Sequence, residues 1–206
     1  MKKKLIALSF AVLFAFCVTA CGGDNGSTED QTSSQTQTET AETEQESSST
    51  KYDAGTYKVG SDISAGEYIL FGESAVGAYY EIASDSTGTL ESIITNGNFT
   101  TNAILTVSDG QYLKLQGCYA VPAEEVSELD TTKEGTFKIG THLAAGEYKL
   151  AVDENSVMGS GYYEVASDSS GSLDSIVTNG NFEGETYITV SDGQYLKLAF
   201  CHIVSE

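Results

Sequence analysis

The chain has 206 residues, among them 30 Asp and Glu, 10 Lys and no Arg, and its formal net charge is −20 at pH 7. Three of the Lys residues lie in the first four positions, so the part after Cys21 carries 7 Lys against 30 acidic residues, a formal charge of −23. A surface that acidic repels phosphate backbones and anionic lipid headgroups. The composition therefore argues against nucleic acid as a partner and against electrostatic binding to a membrane.

Residues 1–20 have the pattern of a lipoprotein signal peptide. A basic start precedes an apolar run over residues 5–18, which is shorter than the roughly 20 residues that a membrane-spanning helix needs. Val18-Thr19-Ala20-Cys21 resembles the lipobox of bacterial lipoproteins, with Val18 where that family most often has Leu. The resemblance implies cleavage before Cys21 and a lipid, with acyl chains such as palmitate, on its sulfur. We expect the mature chain to be anchored at the extracellular face of the cell membrane.

A Ser, Thr and Glu-rich segment follows the lipobox. Residues 22–50 contain no aliphatic side chain larger than that of Ala, so they cannot bury enough apolar surface to offset the entropy lost on ordering. We expect residues 21–51 to be the lipid anchor and a disordered stalk. As a flexible coil, such a stalk spans roughly 30 Å.

The remainder of the chain consists of two similar sequences in tandem. Gly-Thr-Tyr-Lys-Val-Gly at 55–60 recurs as Gly-Thr-Phe-Lys-Ile-Gly at 135–140, and Val-Ser-Asp-Gly-Gln-Tyr-Leu-Lys-Leu is identical at 107–115 and 190–198. Self-similarity of this kind is the signature of a tandem duplication.

The duplication sets the domain boundaries. We predict a first module at 52–121, a connector at 122–132 and a second module at 133–206. The second module gains three residues within the stretch 152–160, which we expect to be a loop. Because about 70 residues make a small core, we expect the modules to pack together through a shared apolar surface.

Both modules alternate apolar and polar residues with the period of half-buried strands. Turn signals at Ala65-Gly66, Asn96-Gly97 and Asp109-Gly110 separate the strands. The fold prediction is all-β, with two tandem six-stranded antiparallel sandwich modules, jelly-roll-like, after the disordered stalk. In the first module the predicted inner face consists of Tyr57, Val59, Tyr68, Leu70, Tyr80, Ile82, Leu105, Val107, Leu113 and Leu115. Ile69 of the first module becomes Lys149 in the second, which marks the outward face.

The sequence Gly-Thr-Tyr-Lys-Val-Gly-Ser-Asp-Ile-Ser-Ala-Gly-Glu-Tyr at 55–68, with the later Ser-Asp-Gly-Gln-Tyr-Leu-Lys-Leu, resembles a module common in surface lipoproteins of Gram-positive anaerobes. The resemblance covers both modules. The second departs from the pattern with His142 where the first has Asp62, which counts against any role that needs a carboxylate there in both modules. The resemblance implies a fold and a location, and no activity.

Motifs of catalysis are missing from the sequence. The two histidines, His142 and His202, do not stand at metal-ligand spacing, and there is no nucleophile elbow, zinc-protease or phosphate-loop pattern. We therefore expect a non-enzymatic protein without a cofactor or metal. Residues 85–91 and 168–174 alternate oxygen-bearing side chains like a degenerate calcium loop, and the alternative is an Asx turn between strands.

Exposed tyrosines are the candidate ligand-binding residues. The alternation directs Tyr79, Tyr112, Tyr162 and Tyr195 outward beside carboxylates, where aromatic rings can bind sugars or protein partners. The alternative is cross-strand pairing that stabilises the sheet. We expect the module pair to bind a cell-wall glycan or an envelope protein, with avidity from two sites. The rival prediction is a structural spacer or coat protein of the cell envelope with no specific ligand.

Cys118 and Cys201 are the thiols left after removal of the signal peptide, and each is the counterpart of the other. Export makes them candidates for a disulfide, provided that the two last strands lie within reach. The alternation puts them on the less buried face, that of Lys114 and Lys197. Both the bridged and the free state stay open at this point.

Overall fold

The computed structural model describes residues 50–74, 76–154, 156 and 159–204, all of which belong to one compact unit. The predicted signal peptide, the anchor Cys21 and almost all of the predicted stalk lie outside the described residues. Within the described part of the chain, no helix is long and apolar enough to span a membrane.

The described chain is nearly all β, as predicted. The strands of the first module are β1 Gly55–Lys58, β2 Gly66–Gly72, β3 Ala78–Ala83, β4 Ile93–Phe99, β5 Asn102–Val107, β6 Tyr112–Gln116 and β7 Cys118–Pro122. Those of the second module are β8 Gly135–Lys138, β9 Gly146–Val152, β10 Gly161–Ala166, β11 Ile176–Phe182, β12 Glu185–Val190, β13 Tyr195–Ala199 and β14 Cys201–Ile203. Short 3-10 helices occur at Leu90–Ser92, Ala123–Glu125 and Leu173–Ser175.

Each module has two antiparallel sheets. In the first module the strand orders are β1-β6-β3-β4 and β5-β2-β7, and in the second they are β8-β13-β10-β11 and β12-β9-β14. The prediction of six strands per module is wrong by one, because β7 and β14 are separate strands. Gly117 (φ 65°) and Phe200 (φ 58°) adopt left-handed backbone and end β6 and β13, after which the chain crosses to pair with β2 or β9.

Each module has a separate apolar core, to which strands of both of its sheets contribute side chains. All ten side chains of the predicted inner face belong to the core of the first module, either buried or, for Tyr57 and Tyr80, partly buried against it. The second core is built on the equivalent residues, including Phe137, Leu150 and Leu198. Full burial of a side chain of this size contributes about 1.5–3 kcal/mol, so these two clusters are the main source of stability of the modules.

Of the three predicted turn signals, Asp109-Gly110 is a turn that joins β5 to β6, with Gly110 at φ 85°. At Ala65-Gly66 the chain only bends, and Gly66 is already the first residue of β2. Asn96-Gly97 instead lies inside β4, so that prediction is wrong. Gly97 is required there by packing, since a Cβ at this position would stand 2.8 Å from Cε1 of the Tyr80 ring.

Both thiols are free and fully buried, each in the core of its own module. The bridged state is therefore not the one in this structure, and the predicted partly exposed face is wrong for Cys118 and Cys201. The physical reason is the left-handed residue just before each of them, which reverses the alternation of the strand. Burial raises the pKa of Cys118, and it raises the pKa of Cys201 to about 11.

Two local differences between the modules lie in loops. The three-residue insertion falls between β9 and β10, as predicted. His142 replaces Asp62 without changing the turn after the first strand, because Nδ1 of His142 accepts from the Lys138 backbone N–H at 3.0 Å just as Oδ2 of Asp62 accepts from the Lys58 N–H at 2.8 Å. The role of this position is structural in both modules.

Candidate functional site

The two modules are joined through the outward face of sheet β5-β2-β7. Ile69 is fully buried there, with 0% of its surface exposed, and packs with Ile104 against Tyr195 of the second module. Val126 and Leu129 of the connector lie against the same cluster. The predicted shared apolar surface between the modules is therefore present, and Ile69 faces outward from its own module while being covered by the other.

The second module does not repeat this apolar face. Lys149 stands in place of Ile69, and Tyr187, which is 62% exposed, stands in place of Ile104. Nζ of Lys149 is paired with Glu185 Oε2 at 2.8 Å on the adjacent strand. The joint is therefore formed by one sheet face of the first module, and the equivalent sheet face of the second module does not form such a joint.

Glu67 is the polar centre of the joint. Its carboxylate accepts hydrogen bonds from the hydroxyls of Tyr195 and Ser169, the latter at 2.7 Å, and forms an ion pair with Lys138 Nζ at 2.9 Å. Burial raises the pKa of this carboxyl, but the hydrogen bonds from Tyr195, Lys138 and Ser169 outweigh that effect and hold the pKa below its usual value. All three partners belong to the second module, so Glu67 links the modules in its ionised form.

Strands β5 and β8 approach each other beside this cluster. Nδ2 of Asn102 donates to the Thr136 carbonyl at 2.6 Å, and the hydroxyl of Thr101 donates to the carbonyl of Glu134. Gly135 lies at φ 147°, and a Cβ there would collide with Asn102. The close approach of these two strands therefore requires glycine at this position.

The turn between β10 and β11 completes the joint. Asp168 Oδ1 accepts from the Ser170 N–H at 2.9 Å, and Asp85 Oδ1 of the first module accepts from the Thr87 N–H at 2.9 Å. Each aspartate thus closes an Asx turn, which is the alternative given above to a calcium loop. In the second module this turn reaches the first module, where the Ser169 carbonyl accepts from the Thr106 N–H at 2.9 Å.

A cleft of about 740 Å³ lies between the modules, next to the joint. Tyr80, Phe99 and Thr95 of the first module line one side of it, and Glu164 and Lys197 of the second module line the other. Its volume is within the range of roughly 300–1,000 Å³ typical of small-molecule sites. Sequence reasoning found Tyr80 only as a core residue and missed the other four, because nothing local to those positions shows that the modules meet there.

The cleft combines an aromatic wall with a charged one. The rings of Tyr80 and Phe99 have centroids 6.3 Å apart, tilted by 46°. Burial raises the pKa of Tyr80, and the Glu164 carboxylate across the cleft raises it further, so the Tyr80 hydroxyl stays protonated and available as a donor. Glu164 adds acceptors and Lys197 adds a donor. Such a site can hold an uncharged, hydroxyl-rich ligand by stacking and hydrogen bonds.

The structure separates the four predicted tyrosines. Tyr79 and Tyr195 line the cleft, whereas Tyr112 and Tyr162 lie outside it. Tyr195 packs against Ile69 and Ile104 of the first module and is only 8% exposed, so the expectation of an exposed ring is wrong for this residue. The hydroxyl of Tyr79 donates to Glu81 Oε2 at 2.7 Å, and that of Tyr162 donates to Glu164 Oε2 at 2.6 Å. Tyr79 and Tyr162 thus make the same hydrogen bond within their modules, and they differ in that only Tyr79 lines the cleft.

His202 is partly exposed and pairs with an aspartate. His202 Nδ1 lies 2.6 Å from Asp153 Oδ1 in the loop after β9, where the pair connects β14 to the loop that carries the insertion. Within the described ranges, no group of three or more His, Cys, Asp or Glu side chains has the arrangement of a metal site.

Comparison with known proteins matches this chain to no family model, to no curated protein and to no solved structure.

Proposed function

We propose that this chain is a lipid-anchored extracellular lipoprotein that binds a glycan of the cell envelope, without catalysis, in the cleft between its two modules. In this proposal each module is a jelly-roll-like sandwich, and the stalk from Cys21 holds the pair near the membrane. The observation that carries the proposal is the cleft between the modules, which has an aromatic wall and a charged wall.

The size of the cleft favours a glycan over a folded protein as the ligand. A volume of about 740 Å³ suits a small molecule or the end of an oligosaccharide, whereas a protein partner of standard size covers about 800 Å² on each side. The rings of Tyr80 and Phe99 line the cleft, where aromatic side chains can contact the apolar side of a sugar, and Glu164 and Lys197 can bind its hydroxyls.

The duplication supplies a matched control for the ligand test. Tyr80 and Phe99 correspond to Tyr163 and Phe182, whose rings are also 6.3 Å apart but which do not line the cleft. We expect isothermal titration of the soluble unit with envelope glycan fragments to show binding that Tyr80→Phe weakens and Tyr163→Phe does not. No heat with any glycan fragment, or equal loss in both variants, would contradict the proposal.

The rival function is a spacer or coat protein of the envelope without a specific ligand. A second matched pair separates the two functions in cells, since Lys197 lines the cleft and its counterpart Lys114 does not. Lys197→Met should change the phenotype of a binding protein more than Lys114→Met does. Equal phenotypes, with normal protein levels, would favour the spacer.

The anchor has its own test. Cys21→Ala removes the sulfur that would carry the lipid, so the variant should leave the membrane fraction and the detergent phase. Partitioning of the variant equal to that of the unchanged chain would contradict the lipoprotein assignment while leaving the glycan proposal standing.

A further inference from the structure

The joint between the modules has two sides. We call Glu67, Ile69, Asn102 and Ile104 of the first module the docking edge. We call Lys138, Ser169 and Tyr195 of the second module the receiving face, because these side chains bind Glu67. Since the chain is duplicated, each side has a counterpart on the other module, and neither counterpart takes part in this joint.

The first module keeps the groups of the receiving face. Lys58, Ser86 and Tyr112 are the counterparts of Lys138, Ser169 and Tyr195, and all three are chemically identical to them. Even the internal arrangement is the same, because Lys58 Nζ lies 5.9 Å from the Tyr112 ring centroid and the equivalent distance in the receiving face is 5.4 Å.

These counterparts have no partner from another module. Lys58 and Ser86 are exposed and Tyr112 is half-buried, whereas Ser169 and Tyr195 are buried by the docking edge. Lys58 forms no ion pair with any described residue, although its counterpart pairs with Glu67. The first module therefore exposes a second set of the groups that bind the docking edge inside the joint.

The second module has lost the docking edge. Lys149, Glu185 and Tyr187 replace Ile69, Asn102 and Ile104, and the first two of these replacements form an ion pair with each other. Covering this charged pair with another module would remove its hydration, and the apolar contact made by Ile69 and Ile104 is missing. A second copy of this chain therefore cannot dock through its free edge.

We propose that the face formed by Lys58, Ser86 and Tyr112 is a docking site for a module of this same fold on another protein. The partner must present on its β2–β5 edge a carboxylate next to two apolar side chains, in the arrangement of Glu67, Ile69 and Ile104. The geometry of the partner contact is the one seen inside this chain, with the carboxylate between the Tyr hydroxyl and the Lys ammonium.

The test restores the missing edge in the chain itself. The variant K149I/E185N/Y187I gives the second module the side chains of the docking edge, with Glu147 already at the position of Glu67. The soluble unit carrying these substitutions should shift from monomer to head-to-tail oligomers in sedimentation velocity, because each copy then has one docking edge and one receiving face free. If this variant does not fold, K149I/E185N, which removes the ion pair and keeps Tyr187, is measured in the same way.

The control distinguishes specific docking from association of exposed isoleucines. Lys58→Glu, added to the variant, places a carboxylate opposite Glu147 and should return the protein to monomer. Lys114→Glu, on the same sheet but outside the three residues, should leave the oligomers intact. A folded variant that stays monomeric, or oligomers that survive Lys58→Glu, would overturn the proposal.

Discussion

The strongest prediction concerns the charge of Glu67. Glu67→Gln keeps the size of the side chain and an acceptor for Tyr195 and Ser169, but it removes the charge that Lys138 pairs with and turns an N–H toward that ammonium. Hydrogen bonds to a charged group contribute about 1.5–3 kcal/mol each when buried. Lys138 and Glu67 keep 35% and 21% of their side chains exposed, so solvent reduces that figure, and we expect a loss of about 1–3 kcal/mol.

Urea unfolding of the soluble unit measures this loss. Glu147→Gln is the matched control, because Glu147 occupies the same position of the second module but is exposed, and it should change the free energy of unfolding by less than about 0.5 kcal/mol. Equal effects of the two substitutions would refute the argument that Glu67 holds the modules together.

The same carboxylate sets a pH dependence. The pKa of Glu67 is lowered from an ordinary value of 4.5, so its ionised form is favoured in the folded state. The stabilisation is therefore complete above about pH 4.5 and is lost as the pH falls through the lowered folded value. The stability difference between the unchanged chain and Glu67→Gln should shrink in acid and stay constant from pH 5 to pH 8.

Three further predictions follow from burial. Ile69→Lys should lower the free energy of unfolding by about 3 kcal/mol or more, because it puts an unpaired charge into the apolar joint, whereas Lys149→Ile should be nearly neutral in a dilute sample. Cys201 should react with a thiol reagent at pH 8 far more slowly in the folded protein than in urea, since its pKa is raised to about 11, and equal rates would show that it is accessible. Residues 52–121 expressed alone should melt well below residues 52–206, because the isolated module exposes the apolar face that the joint covers, and equal melting temperatures would show two independent modules.

The alternation of residues was enough to predict the core of each module. Every member of the predicted inner face of the first module lies in its core, because period-two burial depends only on neighbours along and across the strands. The alternation failed after Gln116 and Ala199. There Gly117 and Phe200 adopt left-handed backbone, which exchanges the inner and outer faces of the strands that follow. A non-glycine residue in that conformation gives no local sequence signal.

The joint was only partly predictable, for a different reason. Tyr112 and Tyr195 lie in identical nine-residue segments, yet one is half-buried and the other is 8% exposed. No local pattern can distinguish two copies of one sequence, so only long-range contacts decide which ring is covered. A signal did exist in the comparison of the modules, since Ile69 against Lys149 marks an outward position that is apolar in one module alone.

The asymmetry of the joint also limits how the gene for this chain can change by recombination between its repeats. A deletion that fuses residue 115 to residue 199 would leave one module with both the docking edge around Ile69 and the face around Lys58 uncovered. Such a product would polymerise without limit, because a head-to-tail contact that does not close continues indefinitely. The reciprocal product, with three modules, would have a middle module whose edge carries Lys149 and cannot dock onto the third. Selection against both outcomes would keep the number of modules at two.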